Sequence, residues 1–595
     1  MTSLNVLTMR NCGLNGSFLA QDWCELRKLK EIDLSGNNFE GKVPSCIANL
    51  TSLEYLSLSD NDFLNPIRFS LFSNLSNLKV LLTDNNAIDF EPNTHSSIPT
   101  FQLKVLSLFN GSFNGLNRTF PRFLQYQYDL RVIDLSHNNL VGKFPNWLLE
   151  NNTRLDSLIL NNNYFTGPLT VPYDLRSNVT FIDISDNYLQ GPIPTNFGLV
   201  FPYLAELYMS KNAFQGSIPS SFGNMEFLWT LDMSENNFFG SIPSCFNSSR
   251  IMSVHLNKNR LSGPIPSAFQ NKSGLVTLNL RDNYLTGNIP NWISSLSSLS
   301  ILLLRENHLG GRIPIQLCLL QNLNMLDLSN NNFWGPIPPC LSNITFGKSS
   351  QNSDHFYYGD ITLPRENYSV DIKEEVEFAT KGRTYSYKGD ILNYMSGIDL
   401  SCNRLTGEIP PEFGRMSNIR ALNLSHNNLS GPIPITFSNL NQIESLDLSS
   451  NNLNGKIPPQ LTELTFLAVF NVSHNNLSGS TPDVKNQFGT FDESSYEGNP
   501  LLCGLPLHNG CTEIEPPSTM PADHEREEGG SFMDMGIFYA SFVAAYIAVL
   551  LGIVAFLYIN PYWCREWFNF IEACIDICYY FIVVQCRKVP GFKLT

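Results

Sequence analysis

Positive charge is in short supply in this chain. Its 595 residues hold 38 Lys and Arg against 53 Asp and Glu, a net charge of −15, and only 15% of the residues are charged. A nucleic-acid binder needs clustered cations to neutralise phosphates, so that class is excluded. Hydrolase and metal signatures are missing as well: there is no H-E-x-x-H, no G-x-S-x-G and no zinc-spaced Cys/His cluster. Kinase signatures, a glycine-rich loop, H-R-D and D-F-G, are also absent. Only 36 residues follow Ile559, too few for an independently folding catalytic domain of roughly 50–250 residues. No enzymatic activity, metal or cofactor is expected. Long uncharged apolar runs are lacking everywhere but one place, residues 537–559, where 23 residues carry no charge. At about 1.5 Å per residue that run exceeds the roughly 30 Å hydrocarbon core of a bilayer, which predicts one transmembrane helix over 536–559.

What the chain has is a beat of mostly 24 or 25 residues. Aligning the polar residue that closes each L-x-x-L-x-L-x-x-N segment puts Cys12, Asn37, Asn61, Asn86, Gly111, Asn138, Asn163, Asn187, Asn212, Asn236, Asn259, Asn283, Asn307 and Asn331 in one column. After a gap the column resumes at Asn403, Asn427, Asn451 and Asn475, which makes eighteen repeats. In LDLSSNNLNGKIP, Leu446 and Leu448 share one face of a short strand that points into a core. Asn451 sits where the chain turns away, its amide free to satisfy backbone groups. Gly455 permits the next bend, Ile457 returns to the core and Pro458 stiffens the outer wall. One repeat cannot bury its leucines alone, so stacked neighbours supply the core. The expected fold is an α/β-type solenoid, a superhelix with a parallel β-ribbon on its concave face whose non-leucine positions meet solvent.

Many repeats show a plain L-D-L-S there. Repeats nine to thirteen instead offer Tyr208, Lys211, Trp229, His255, Lys258, Arg281, Arg305 and Glu306. Trp, Tyr and Arg are over-represented at hot spots, and mixed charge suits a peptide or an oligosaccharide; ordinary surface variation is the alternative. His426 and His474 share a column two repeats apart, about 10 Å at 4.8 Å per strand, too far to share a metal ligated near ~2 Å.

The extension L-x-G-x-I-P, as at Ile193-Pro194, Ile218-Pro219, Ile289-Pro290 and Ile433-Pro434, resembles the plant-type leucine-rich repeat of cell-surface receptors. The short tail narrows the resemblance to the kinase-less receptor-like proteins. Seventy-two residues separate Asn331 from Asn403, and between Leu341 and Leu392 only Leu363 appears. That stretch is similar to the family's island domain, four repeats before the end, and VEFATKGRTYSYKGDILNYMSGIDLS resembles its junction with the repeats. The resemblance implies ligand or co-receptor contacts at Tyr357, Tyr358, Lys381, Arg383 and Tyr385; a tolerated surface insertion is the alternative. The expected organisation is repeats 1–14 over 1–338, island 339–394, repeats 15–18 over 395–482, a C-terminal cap 483–511, an acidic linker 512–535, the span 536–559 and a cytoplasmic tail 560–595.

Cys24 and Cys46 stand five residues before and seventeen after Leu29, and Cys318 and Cys340 repeat those offsets around Leu323. The duplication implies a disulfide between neighbouring coils, with buried thiols as the alternative. Cys503 and Cys511 resemble the pair in the family's C-terminal cap. Cys12, Cys245 and Cys402 are left unpaired. Sequons fall at Asn15, Asn49, Asn74, Asn110, Asn117, Asn151, Asn178, Asn247, Asn271, Asn343, Asn367, Asn423, Asn428, Asn471 and Asn476, all before the apolar run, which implies secretory glycosylation. Acid before the span and Arg565, Arg587, Lys588 and Lys593 after it put the N-terminus outside, as in a single-pass type I plasma-membrane protein.

Ala540, Ala544, Ala548 and Gly552 form a small-residue stripe in the span where another helix can pack; the resemblance implies an adaptor receptor kinase there and a co-receptor kinase outside. Cys564, Cys574, Cys578 and Cys586 are candidates for acylation or inert reduced thiols. The functional expectation is a receptor for an extracellular peptide, protein or oligosaccharide in plant defence or development. The alternatives are a non-signalling cell-wall inhibitor or structural protein and a decoy or pseudogene product. Family members open with a signal peptide and a cysteine-bearing cap, whereas Met1 opens inside a repeat at Leu4, so a truncated gene model or alternative start is expected.

Overall fold

The computed structural model describes residues 4–511 apart from 18–24, 64, 91–99, 112–117, 172–175, 245, 247, 345, 347–356 and 361–370. Each of the eighteen repeats contributes one three-residue inner strand, from Val6–Thr8 to Val469–Asn471, and consecutive strands pair in parallel into one sheet. The period-2 leucines cause this: in Ser445–Asp447 of repeat seventeen, Leu446 is fully buried, as is Leu448 just beyond it.

The column asparagine is the structural hinge of the sixteen coils that have it. Asn451 donates from Nδ2 to the carbonyls of Leu424, Leu448 and Ser449 at 3.0, 3.2 and 3.1 Å, and its Oδ1 accepts the Leu429 N–H at 3.0 Å. One side chain thereby satisfies backbone groups in its own coil and the one before. The residue ahead of it turns left-handed, as at Lys258 (φ 53°) and Ser450 (φ 53°).

A second ribbon went unread in the sequence. Asn452–Gly455 pairs in parallel with Asn428–Pro432 and with Asn476–Ser480, part of a 14-stranded sheet. Leu453 is buried between exposed Asn452 and Asn454, so the alternation of a strand is present, but over too few residues to separate from a bend. Pro458 then opens a single 3-10 turn, Pro459–Glu463, at φ −60°, where proline is already set and its missing N–H has no partner to lose.

The ribbon runs unbroken past the interruption: Met325, Leu326 and Asp327 of repeat fourteen pair with Gly397, Ile398 and Asp399 of repeat fifteen. The outer turn of repeat fourteen, Pro339–Asn343, stacks between those of its neighbours, Ile315–Leu319 and Pro411–Arg415. The Phe346 carbonyl still accepts from Asn418 Nδ2 at 3.0 Å. The insertion therefore starts later than the boundary at 339 expected from sequence. Within it, Glu375–Thr380 and Arg383–Lys388 form an antiparallel hairpin. Lys381 (φ 52°) and Gly382 (φ 70°) make its two-residue loop, the mirror-image turn that matches strand twist. A second antiparallel pair joins Tyr357–Asp360 to Asp371–Lys373.

Among the described residues no helix is long and apolar enough to cross a membrane. The predicted linker, the span with Ala540, Ala544, Ala548 and Gly552, and the tail lie outside the described residues.

Candidate functional site

The island hairpin lies on the concave ribbon, against repeats that precede it and repeats that follow it in the chain. Val376 and Phe378 of its underside, with Leu392 and Met395 just after it, pack on Val276, Ile301, Leu303, Met325 and Ala421. Gly397 makes room for it: a Cβ there would stand 2.6 Å from the Phe378 ring. Polar pairs flank the apolar layer. Glu374 Oε1 lies 2.9 Å from His255 Nε2, and the Ser253 hydroxyl donates to Glu374 at 3.1 Å. Glu377 pairs with Arg281 and, at 3.3 Å, with Lys258, which also reaches Glu235. On the other side Lys381 Nζ meets Glu444 at 2.7 Å, and its backbone N–H donates to Ser445 Oγ at 3.1 Å.

These contacts correct part of the sequence reading. His255 and Arg281, placed in solvent by the strand pattern, are only 8% and 4% exposed, because the insertion covers them. Burial opposes the charged form of His255, but the charge of Glu374 and its hydrogen bond outweigh that and raise the imidazole to about 9. Burial likewise works against the Glu374 carboxylate, and His255 beside it holds its pKa below the usual range. Both groups are therefore charged, as a buried pair must be to satisfy each other. The missed residues are Glu374 and Glu377. A signal existed: Val276, Ile301, Leu303 and Met325 are apolar at ribbon positions that other repeats fill with polar residues.

Beside the hairpin, the concave face of repeats five to twelve borders a cavity of about 610 Å³. Asp134, Asp183, Tyr208, Asp232, Asn257 and Glu374 are among its walls. Burial first, then the charges of Asp232 and Asp134, raises Asp183 to about 7. Burial raises Glu206 to about 7, and that carboxylate accepts from Tyr208 Oη at 2.9 Å. Of the sequence candidates, Tyr208, Lys211, His255 and Arg281 line this cavity. Trp229 is exposed outside its lining, Lys258 is in the hairpin's ion pairs, and Arg305 pairs with Glu306 at 2.7 Å. A second cavity of about 510 Å³ lies between the hairpin and repeats fifteen to seventeen, where Lys381, Tyr385, Tyr394, Arg420 and Glu444 meet. Arg383 is exposed on the hairpin, and Tyr357 and Tyr358 lie on the other island strand pair.

Ser253, His255 and Glu374 have the composition of a hydrolytic triad but not its geometry. Ser253 Oγ and Glu374 Oε1 both approach the same ring nitrogen, Nε2, at 2.9 Å, so the acid cannot orient the imidazole from behind. The trio is a docking contact. Among the described residues no cluster of His, Cys, Asp or Glu is arranged to hold a metal ion.

Cys318 is bonded to Cys340 and Cys503 to Cys511, with Cα separations of 5.5 and 5.1 Å. Cys46 is disulfide-bonded, and Cys24 lies outside the described residues, as does Cys245. Cys12 and Cys402 are free thiols. Asn15, Asn49, Asn74, Asn110, Asn151, Asn178, Asn271, Asn343, Asn428 and Asn476 are exposed. Asn423 and Asn471 are half-buried on the ribbon, their oxygens accepting from the N–H groups of Ser425 and Ser473. Asn117, Asn247 and Asn367 lie outside the described residues.

Profiles described as "Leucine rich repeat" match residues 2–63, 249–309 and 394–453, and others match 129–151, 203–225, 227–249 and 322–344. Cuscuta receptor 1 of Solanum lycopersicum is 41% identical over 98% of this chain and 67% of its own length. Receptor-like protein 1 of Arabidopsis thaliana is 41% identical over 92% of this chain and 64% of its own. The chain thus spans about two-thirds of the length of these curated relatives. Among solved structures, the Arabidopsis receptor kinase HAESA in complex with the peptide hormone IDA and the co-receptor SERK1 superposes with a TM-score of 0.63 at 26% identity. That match covers 82% of this chain and 77% of the other.

Proposed function

Because this chain belongs to the plant receptor-like proteins with leucine-rich repeats, we propose that it is a cell-surface receptor whose ligand enters the concave cavity beside the island. The observation that carries this reading is the cavity itself: about 610 Å³, walled by the ribbon on one side and the docked hairpin on the other. Tyr208 and Lys211 are the sequence candidates left to touch a ligand there, since His255, Lys258 and Arg281 already hold the island. The exposed aromatics and ion pairs around Tyr385 and Tyr394 offer a second surface, suited to a co-receptor kinase. The HAESA complex, which contains a peptide hormone and a co-receptor, supports a peptide ligand and a co-receptor partner. Signalling then passes through an adaptor kinase that packs on the stripe of Ala540, Ala544, Ala548 and Gly552 in a type I plasma-membrane span. The exposed sequons carry glycans in this reading.

The test is purification of the tagged full-length chain from plant membranes, with and without fractionated apoplastic extract. A kinase that co-purifies only with extract supports the receptor. Tight capture of a wall-degrading enzyme with no kinase favours the inhibitor reading instead.

A further inference from the structure

The second ribbon, beyond the asparagine turn, carries a pattern that the receptor reading does not use. From Val141–Lys143 to Asn332–Gly335, nine consecutive strands of its sheet contain no Asp or Glu, in a chain with 53 of them. Asn428 and Asn476, both sequon residues, open two later strands of that sheet, but these nine strands hold no sequon. The face is therefore free of negative charge and of glycan attachment points in its own strands.

Aromatic rings recur on it every second coil. Tyr188, Phe239, Tyr284 and Trp334 stand on repeats eight, ten, twelve and fourteen, each 49% to 57% exposed. Their strand neighbours Leu189, Phe238, Leu285 and Phe333 are buried, so the alternation of the strand fixes each ring outward. Tyr164 of repeat seven lies nearly parallel to Tyr188, with ring centroids 5.7 Å apart, and widens the platform at that end. Rings already held on rigid strands lose little freedom when a ligand covers them. At roughly 4.8 Å per strand, those four rings recur about every 9–10 Å along the stack.

Basic groups lie among the rings. Lys143, Arg260 and Arg312 are exposed on or just after these strands. Arg260 is the direct ladder partner of Phe239, and the Arg312 guanidinium stands 5.2 Å from the centre of the Trp334 ring. A guanidinium matches a carboxylate with two parallel N–H bonds, and no acid in the nine strands competes for it.

A protein partner gains most from rings clustered at the centre of a patch. Rings spaced evenly along a stack call instead for a ligand with a period of its own. In an extended β-linked polysaccharide each sugar is turned over relative to the last, so like faces, lined with C–H groups, recur every second sugar, close to the spacing of two coils. Carboxylates on such a chain complement the basic groups of the face. We propose that the second ribbon of repeats eight to fourteen binds an extended β-linked polysaccharide bearing uronic-acid carboxylates. Its sugar faces stack on Tyr188, Phe239, Tyr284 and Trp334, and its carboxylates meet Arg260 and Arg312. The surface is separate from the concave cavity, so it neither supports the receptor reading nor falls with it.

The test titrates the purified full-length chain with three labelled six-sugar probes: β-linked glucuronate, cellohexaose and α-linked galacturonate. Cellohexaose keeps the geometry without the charge, and the galacturonate keeps the charge without the extended two-sugar repeat. The β-linked glucuronate binds at least tenfold more tightly than either. Tyr284→Ala and Trp334→Ala each weaken it at least fivefold. Arg260→Gln weakens the glucuronate several-fold and leaves cellohexaose unchanged. Circular dichroism of the variants reports that the solenoid persists, as expected for exposed side chains. Absence of glucuronate binding, equal binding of cellohexaose or galacturonate, or unaltered affinity in the folded aromatic variants overturns the proposal.

Discussion

Asn451 shows how much one side chain carries in a coil: three carbonyls and one N–H are satisfied by a single buried amide. Asn451→Ala strands these groups, and each buried unsatisfied group costs about 1–3 kcal/mol. The loss is expected locally, because stacked repeats touch only their neighbours. Hydrogen exchange at the Leu429 amide is expected to quicken by at least tenfold in Asn451→Ala, with little change in repeats distant from it. This role was legible in the sequence, since asparagine holds sixteen of the eighteen places in the column, with Cys12 and Gly111 in the other two. The left-handed residue before it was legible only in part: Asn, Asp or His, which favour that region, stand there in many coils, as at Asn162, Asp282 and His426, but not in all. Lys258 adopts φ 53° and Ser450 the same, though neither is a residue type that favours that region; the bond pattern of the coil forces it.

At the scale of elements, the hairpin Glu375–Thr380/Arg383–Lys388 is held by an apolar layer and a buried ion pair. Gly397→Val drives a side chain into the buried Phe378 ring, which must shift to admit it. Faster hydrogen exchange through the hairpin, with unchanged exchange in repeats sixteen to eighteen, is the expected outcome. Removing one partner of the buried pair, as in Glu374→Ala, leaves His255 uncompensated and costs docking about 3–5 kcal/mol; protease susceptibility at the island measures it. The pair also sets a pH window. His255 titrates at about 9 when docked against 6.5 free, so its contribution is complete below pH 6.5 and lost as pH rises through 9. Glu374 is shifted down from 4.5, so its contribution is present above that value and lost as pH falls through the lowered one. Hairpin protection, taken as exchange relative to the intrinsic rate at each pH from 3 to 10, is expected to be greatest between about pH 5 and 6.5, and His255→Gln removes its alkaline decline.

For the whole molecule, the continuity of the ribbon past the insertion means that the solenoid does not depend on the island. A chain in which residues 349–394 are replaced by a short Gly-Ser linker keeps its repeat stack by circular dichroism. It also exposes Val276, Ile301, Leu303 and Met325, an apolar patch that favours self-association. Light scattering is expected to show aggregates of the excised chain, and Ile301→Ser with Leu303→Ser and Met325→Thr is expected to return it to single particles. An excised chain that stays dispersed without those substitutions would show that the uncovered patch does not drive self-association.

The sequence by itself determined the coil: its period, the buried leucines, the asparagine hinge, the prolines of the outer wall and the place of the interruption. Each of these is a local relation repeated many times, so periodicity alone makes it visible. Only the tertiary structure decided what the interruption does. His255 meets Glu374 across 119 residues of sequence, and Arg281 meets Glu377 across 96. Such pairs occur once, follow no period and depend on how an insertion folds back over strands laid down long before it. The same fold-back took His255 and Arg281 out of solvent.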